Sequence, residues 1–168
     1  MAHAPAYPFE PRSTAYLKPG QFWAVPLSDG RFACGRVLAV RRDQSDPFIL
    51  GGRRMFFAGL MDWVGPEPPT ADALADSSLL IQGNAHIRTI QETGGVILGC
   101  RDLELDGIVG LREVTHRGGG TVYLYEGARR LRPATREEAR DMPSLGTWGF
   151  KVIEVVAEHV IVEGKPLP

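Results

Sequence analysis

The chain has 168 residues, a length that fits one domain in which folding removes about 70% of the unfolded chain's accessible surface from water. Hydrophobic residues at 43% and charged residues at 23% exclude wholesale disorder. A formal net charge of -1 with a pI near 6.4 argues against non-specific binding of nucleic acid or a membrane surface, and no window reaches the ~18 apolar residues of a membrane span.

Residues 1–15 carry Pro5, Pro8 and Pro11 among small polar residues, so they read as an irregular or flexible arm ahead of a single domain over 16–168. The N-terminus lacks the apolar core of a signal peptide, which predicts a cytoplasmic protein. Cys34 and Cys100 have no zinc or redox spacing and are expected as two buried thiols.

Gln21 to Leu27 is rich in aromatic and branched side chains. Ser28-Asp29-Gly30 supplies a turn with Gly30 at positive φ, and Arg31 to Val40 returns as the second arm of a hairpin. Asp43 to Pro47 reads as a loop, and Arg54 to Trp63 as a strand broken by Pro66, Pro68 and Pro69. Thr70 can cap a short helix running to Ala75. Leu79 to Ile90 is strand-like, Gly94-Gly95 turns the chain, and Val96 to Cys100 is expected to pair back as a second hairpin. Arg101 to Asp106 alternates, which as a strand would set Leu103 and Leu105 on one face and Asp102, Glu104 and Asp106 on the other. Thr121 to Tyr125 is a strand, Gly127 a turn residue, and Thr135 with Glu138 forms a capping box for a helix that Pro143 ends. Phe150, Ile153, Val156, Ala157 and Val160 recur at helical spacing, while the branched residues of 149–162 favour a strand; the spacing tips the reading to a helix. The fold class is α+β: a strongly bent antiparallel sheet, or a small partly open barrel, with two or three short helices.

No residues are assigned to catalysis, to a cofactor or to a metal. The glycine cluster from His116 to Thr121 lacks both a Gly-x-Ser-x-Gly elbow and a Gly-Lys-Ser/Thr ending, so it reads as a hairpin tip. His3, His86, His116 and His159 share no metal spacing. Glu137, Glu138 and Asp141 read as exposed ion pairs on an Arg-rich helix. Arg36, Arg41, Arg42, Arg53 and Arg54, interleaved with Phe32, Phe48, Phe56 and Phe57, could line an RNA surface, but without a net cationic field a solvated strand face over a phenylalanine core is the better reading. Trp23 and Trp63 are core candidates, as are Phe22, Val25, Phe32, Val37 and Leu38.

The first hairpin, through Pro19, Gly20, Phe22, Ala24, Pro26, Leu27, Asp29, Gly30, Gly35, Arg36 and Val37, resembles the immunity protein 26 family of bacterial polymorphic-toxin systems, and His86 to Gly99 resembles that family's later Ile-Leu-Gly strand. The resemblance implies a non-enzymatic protein of the toxin-producing cell that binds a cognate toxin in the cytoplasm and blocks its active site or substrate access. Within that reading, Asp102, Glu104 and Asp106 are candidate partner contacts, meeting a basic cleft on the toxin. A second reading is a small-barrel RNA-binding module or ribonuclease, since the hairpin also resembles the opening of the toxins of plasmid-maintenance modules. There an Arg-Pro step is usual, whereas Arg36 precedes Val37; an exposed Arg36 in a groove beside Ser, Thr or His would favour it. The sequence leaves the toxin and the oligomeric state open.

Overall fold

A computed structural model describes residues 3–40, 52–116 and 120–168. Its centre is a five-stranded antiparallel sheet made of β1 (Gln21–Pro26), β2 (Phe32–Val40), β3 (Met55–Gly65), β4 (Leu79–His86) and β5 (Gly99–Cys100), in the order β4-β3-β2-β1-β5. The β1–β2 hairpin turns at Gly30, whose φ of +85° is the left-handed conformation expected there. Beyond it come a three-stranded antiparallel sheet of β6 (Arg112–Thr115), β7 (Tyr123–Glu126) and β8 (Arg129–Pro133), and three short helices, α1 (Arg88–Gln91), α2 (Arg136–Asp141) and α3 (Val152–Ala157). Neither sheet closes into a barrel, so the open, bent alternative of the α+β expectation is the one realised.

Both faces of the larger sheet are covered, which is why its central strands are apolar almost without interruption. On one face Trp23, Val25, Val37, Phe56 and Leu60 pack with Ile87, Ile90 and Ile97 and with Ile153, Val156 and Ala157 of α3. The opposite face carries Phe22, Cys34 and Met61 under Leu74, and farther along Ala39 and Phe57 under Tyr125 and Ala128 of the smaller sheet. Trp23 lies across Gly35, its register partner, where a Cβ would come within 2.3 Å of the indole. The indole N–H, buried with the ring, donates to Thr93 Oγ1 at 2.9 Å.

Two expectations are corrected. Strand β4 stops at His86, and the chain turns helically through α1, because Arg88 N–H bonds His86 Nδ1 at 3.1 Å and the turn buries Thr89 and Ile90. The segment after Gly95 (φ +82°) therefore does not pair back on β4. Gly99 and Cys100 join β1 at the other edge of the sheet, in register Gln21↔Cys100. Thr70 does cap a turn, accepting from Ala73 N–H at 3.2 Å, but the turn is a 3-10 helix over Asp72–Leu74. The Thr135–Glu138 capping box forms as expected, with N–H···O contacts of 3.2 and 2.8 Å. The closing segment is helical: α3 continues into a π-helical turn over Glu158–Val162.

The first residues, expected as an irregular or flexible arm, hold no long element, yet Phe9 pairs with Ile97 through two backbone hydrogen bonds of 3.0 and 2.8 Å. The expected loop at Asp43 to Pro47, with Arg41, Arg42 and Phe48, lies outside the described residues, as does the glycine cluster at 117–119.

Candidate interaction surface

The segment after β5 is not the alternating strand its sequence suggested. Asp102 accepts from Glu104 N–H at 3.1 Å and caps a 3-10 helix over Leu103–Asp106, which Gly107 ends at φ +65° with Ile108 N–H bonded to Leu103 O at 3.0 Å. The Asp at the capping position competes successfully with the strand, because its carboxylate satisfies an amide that only a helical turn presents. The expected acidic row is thereby corrected: Asp102 and Glu104 are exposed at the surface, but Asp106 turns inward with its side chain 0% exposed. Leu105, expected inside, is 68% exposed.

Asp106 binds Arg101 with two contacts of 2.8 Å, accepts from Asp76 N–H at 3.1 Å and lies 3.5 Å from Arg36 Nη1. Arg36 rises from the middle of β2 between Phe22 and Gly59, is fully buried, and donates from Nη2 to Arg101 O at 2.6 Å. Burial lowers the Arg36 pKa from its ordinary value, while Asp106 opposes that effect. The hydrogen bonds from Arg101 hold the Asp106 carboxyl down at about 2 despite its burial. The triad fastens the 101–106 segment to the sheet: an uncompensated guanidinium there would be costly, so the carboxylate must stay in place. Burial also pushes the neighbouring Cys34 thiol far up, leaving it inert; Cys100 is half-buried and reduced as well.

Past Gly107 the chain runs as a ridge to Leu111, which Gln82 pins on both sides: Leu111 N–H donates to Gln82 Oε1 at 2.6 Å, and Gln82 Nε2 donates to Leu111 O at 2.7 Å. Gly110 lies against Gly127, where a Cβ would come 2.4 Å from the Gly127 Cα, so the ridge meets the smaller sheet by backbone contact. A cleft of about 300 Å³ lined by Leu38, Ala39, Leu103, Ile108 and Ala128 opens on the β7–β8 side, and one of about 180 Å³ lined by Ser78, Leu79 and Ile108 opens on the β4 side. Val109, at the crest, is 70% exposed. Just beyond, Glu113 is buried with Oε2 lacking a hydrogen-bond partner, and burial pushes its carboxyl up to about 7.

The remaining expected residues fall elsewhere. Among the described residues no group of His, Cys, Asp and Glu could hold a metal ion, and no helix is long and apolar enough to cross a membrane. His86 packs against Phe150 with the rings tilted by 54°, and Glu138 and Asp141 pair with Arg132 and Arg140. The burial of Arg36 removes the exposed arginine that the ribonuclease reading requires.

A family model described as Immunity protein 26 matches residues 18–106, more than half of the chain. The chain belongs to this family. No curated protein and no solved structure matches it. The Immunity protein 26 region holds the whole five-stranded sheet and ends at Asp106, so Arg36, Arg101 and Asp106 all lie inside it, whereas the smaller sheet and α3 lie beyond. Both segments that carried the resemblance, 18–40 and 86–99, fall within the match.

The signal for the triad was present in the sequence and was missed. Arg36 is the one charged residue between Phe32 and Val40 in a strand otherwise apolar, and a charge in such a place requires a buried counter-charge.

Proposed function

We propose that this member of the Immunity protein 26 family is a non-enzymatic immunity protein that binds a cognate bacterial toxin in the cytoplasm and neutralises it by covering its active site or substrate path. The observation that carries the reading is the family match over residues 18–106. Inhibition of this kind requires no bond making, only a complementary surface with a few well-buried anchors. Asp102 and Glu104, exposed at the capped turn, are the toxin contacts retained from the acidic row; Asp106 serves them from beneath by fixing the turn.

Co-expression with the toxin encoded beside its gene tests the reading. Growth is restored and a complex elutes as one peak in size-exclusion chromatography if the proposal is right. Undiminished toxicity with no complex contradicts it.

A further inference from the structure

The sequence separates its charges more strongly than the net value suggests. Residues 55–85 and 102–111 contain seven of the 20 acidic groups and none of the 19 Lys and Arg residues, leaving 13 acidic against 19 basic groups in the rest of the chain. The fold brings these two stretches together: Asp76 N–H bonds the Asp106 carboxylate, Asp72 and Asp76 act electrostatically on Arg101, and Ile108 packs in one cluster with Trp63, Leu74 and Leu79. Arg101 and Arg36 are both engaged by Asp106, and Arg129, which lines the larger cleft, pairs with Glu126.

Within this negative region the surface is apolar at its high points. Leu105 and Val109 are two of the most exposed large hydrophobic side chains of the described residues, and Val109 stands between the two clefts. The backbone beneath them is held by the triad, by Gln82 and by the Gly110–Gly127 contact, so the side chains are presented by a fixed ridge. The far wall of the larger cleft carries Glu126, which is engaged by Arg112 and Arg129.

We infer that the 102–111 ridge is the docking surface for a protein partner with a cationic rim around an apolar recess: Leu105 and Val109 enter the recess, and Asp72, Asp76, Asp102 and Glu104 face the rim. This rests on the immunity reading and gives the toxin a chemistry. The surface matched is the cationic cleft of an enzyme that acts on a polyanion such as nucleic acid, because such a cleft concentrates lysine and arginine where an inhibitor must sit. Charges at the rim accelerate encounter, and the desolvated apolar anchors hold the complex.

The test measures association and dissociation rates with the toxin domain encoded beside the gene, at low and high salt. Three folded variants of the full chain are compared: Leu105→Ser with Val109→Ser, Asp102→Lys with Glu104→Lys, and as an equal-charge control Glu137→Lys with Asp141→Lys on α2. The leucine–valine variant should dissociate at least about tenfold faster. The ridge charge variant should associate about tenfold more slowly at low salt, with the gap closing at high salt, while the control stays within about twofold of wild type. Ridge variants that bind and protect like wild type, or a wild-type association rate indifferent to salt, overturn the assignment while immunity stands. A wild-type chain that neither protects nor binds overturns the immunity reading itself, and the assignment with it.

Discussion

A methyl group added at Gly35 would stand 2.3 Å from the Trp23 ring, so each side chain of this register pair prescribes the other. Trp23→Ala should cost about 3 to 5 kcal/mol and Gly35→Ala at least about 1 to 3 kcal/mol, read as lost denaturant stability; a Trp23→Ala chain that melts within a degree or two of wild type would contradict the burial described. Glu113 makes the second residue-scale prediction. Its carboxyl is raised from 4.5 to about 7 by burial, so the fold favours the protonated form. Stability is then full below about pH 4.5 and declines as pH rises to about 7, where the charge is forced into the interior. Glu113→Gln should abolish that decline and be the more stable protein at pH 8. Equal pH profiles for the two proteins in chemical denaturation would show that Glu113 is solvated. Phe32 and Trp63, also expected in the core, are only partly buried, while the burial of Trp23 and Phe22 was legible, since both sit in a strand with no polar face. Glu113 was not: in Arg-Glu-Val-Thr it looks like the outward residue of an alternating strand, and only the packing of the smaller sheet on the larger one buries it.

At the scale of elements, the first hairpin and the capping box were readable because their signals are local. Gly30 at the turn and the Thr135–Glu138 box act over three or four residues, and both formed as expected. The errors came where a local pattern competed with a partner far along the chain. Period-2 alternation at 101–106 predicts a strand, but Asp102 caps a turn and Asp106 points inward to Arg101, to the Asp76 N–H and to the buried Arg36, the last two of which no spacing reveals. Proximity in sequence puts Val96 to Cys100 on β4, whereas Ile97 bridges Phe9 and Gly99–Cys100 pair with β1. The triad gives this scale its prediction. Asp106→Asn leaves the buried Arg36 uncompensated and should cost about 3 to 5 kcal/mol, whereas replacing Arg36 and Asp106 together by leucine should cost less. A double variant less stable than the single one would contradict the account. Because Arg101 holds the Asp106 pKa at about 2, below its ordinary 3.8, the contribution of this carboxylate is complete above pH 3.8 and fades as pH falls toward 2. In the Asn variant that acid-limb loss should be smaller.

Over the whole molecule, the larger sheet is covered on both faces, by α3 and the crossing segment on one side and by the smaller sheet and the Asp72–Leu74 turn on the other. The α+β class could be read from the separate strand-like and helix-like segments along the chain, but the separation into two sheets could not, since it depends on where β6 to β8 dock rather than on their own patterns. Nor does a net charge of -1 disclose that the two stretches meeting at the ridge hold seven of the 20 acidic groups and no Lys or Arg. The family is legible in the 18–40 hairpin, whose residues carry the resemblance; the proposed docking surface is not, because it forms only where the 55–85 and 102–111 stretches meet. The most direct measurement is the survival of cells that express a toxin domain found encoded beside the gene together with either the wild-type chain or the folded Leu105→Ser, Val109→Ser, Asp102→Lys, Glu104→Lys variant. Full protection by the wild type and its loss in the variant is the predicted result. No protection by the wild type would contradict the account.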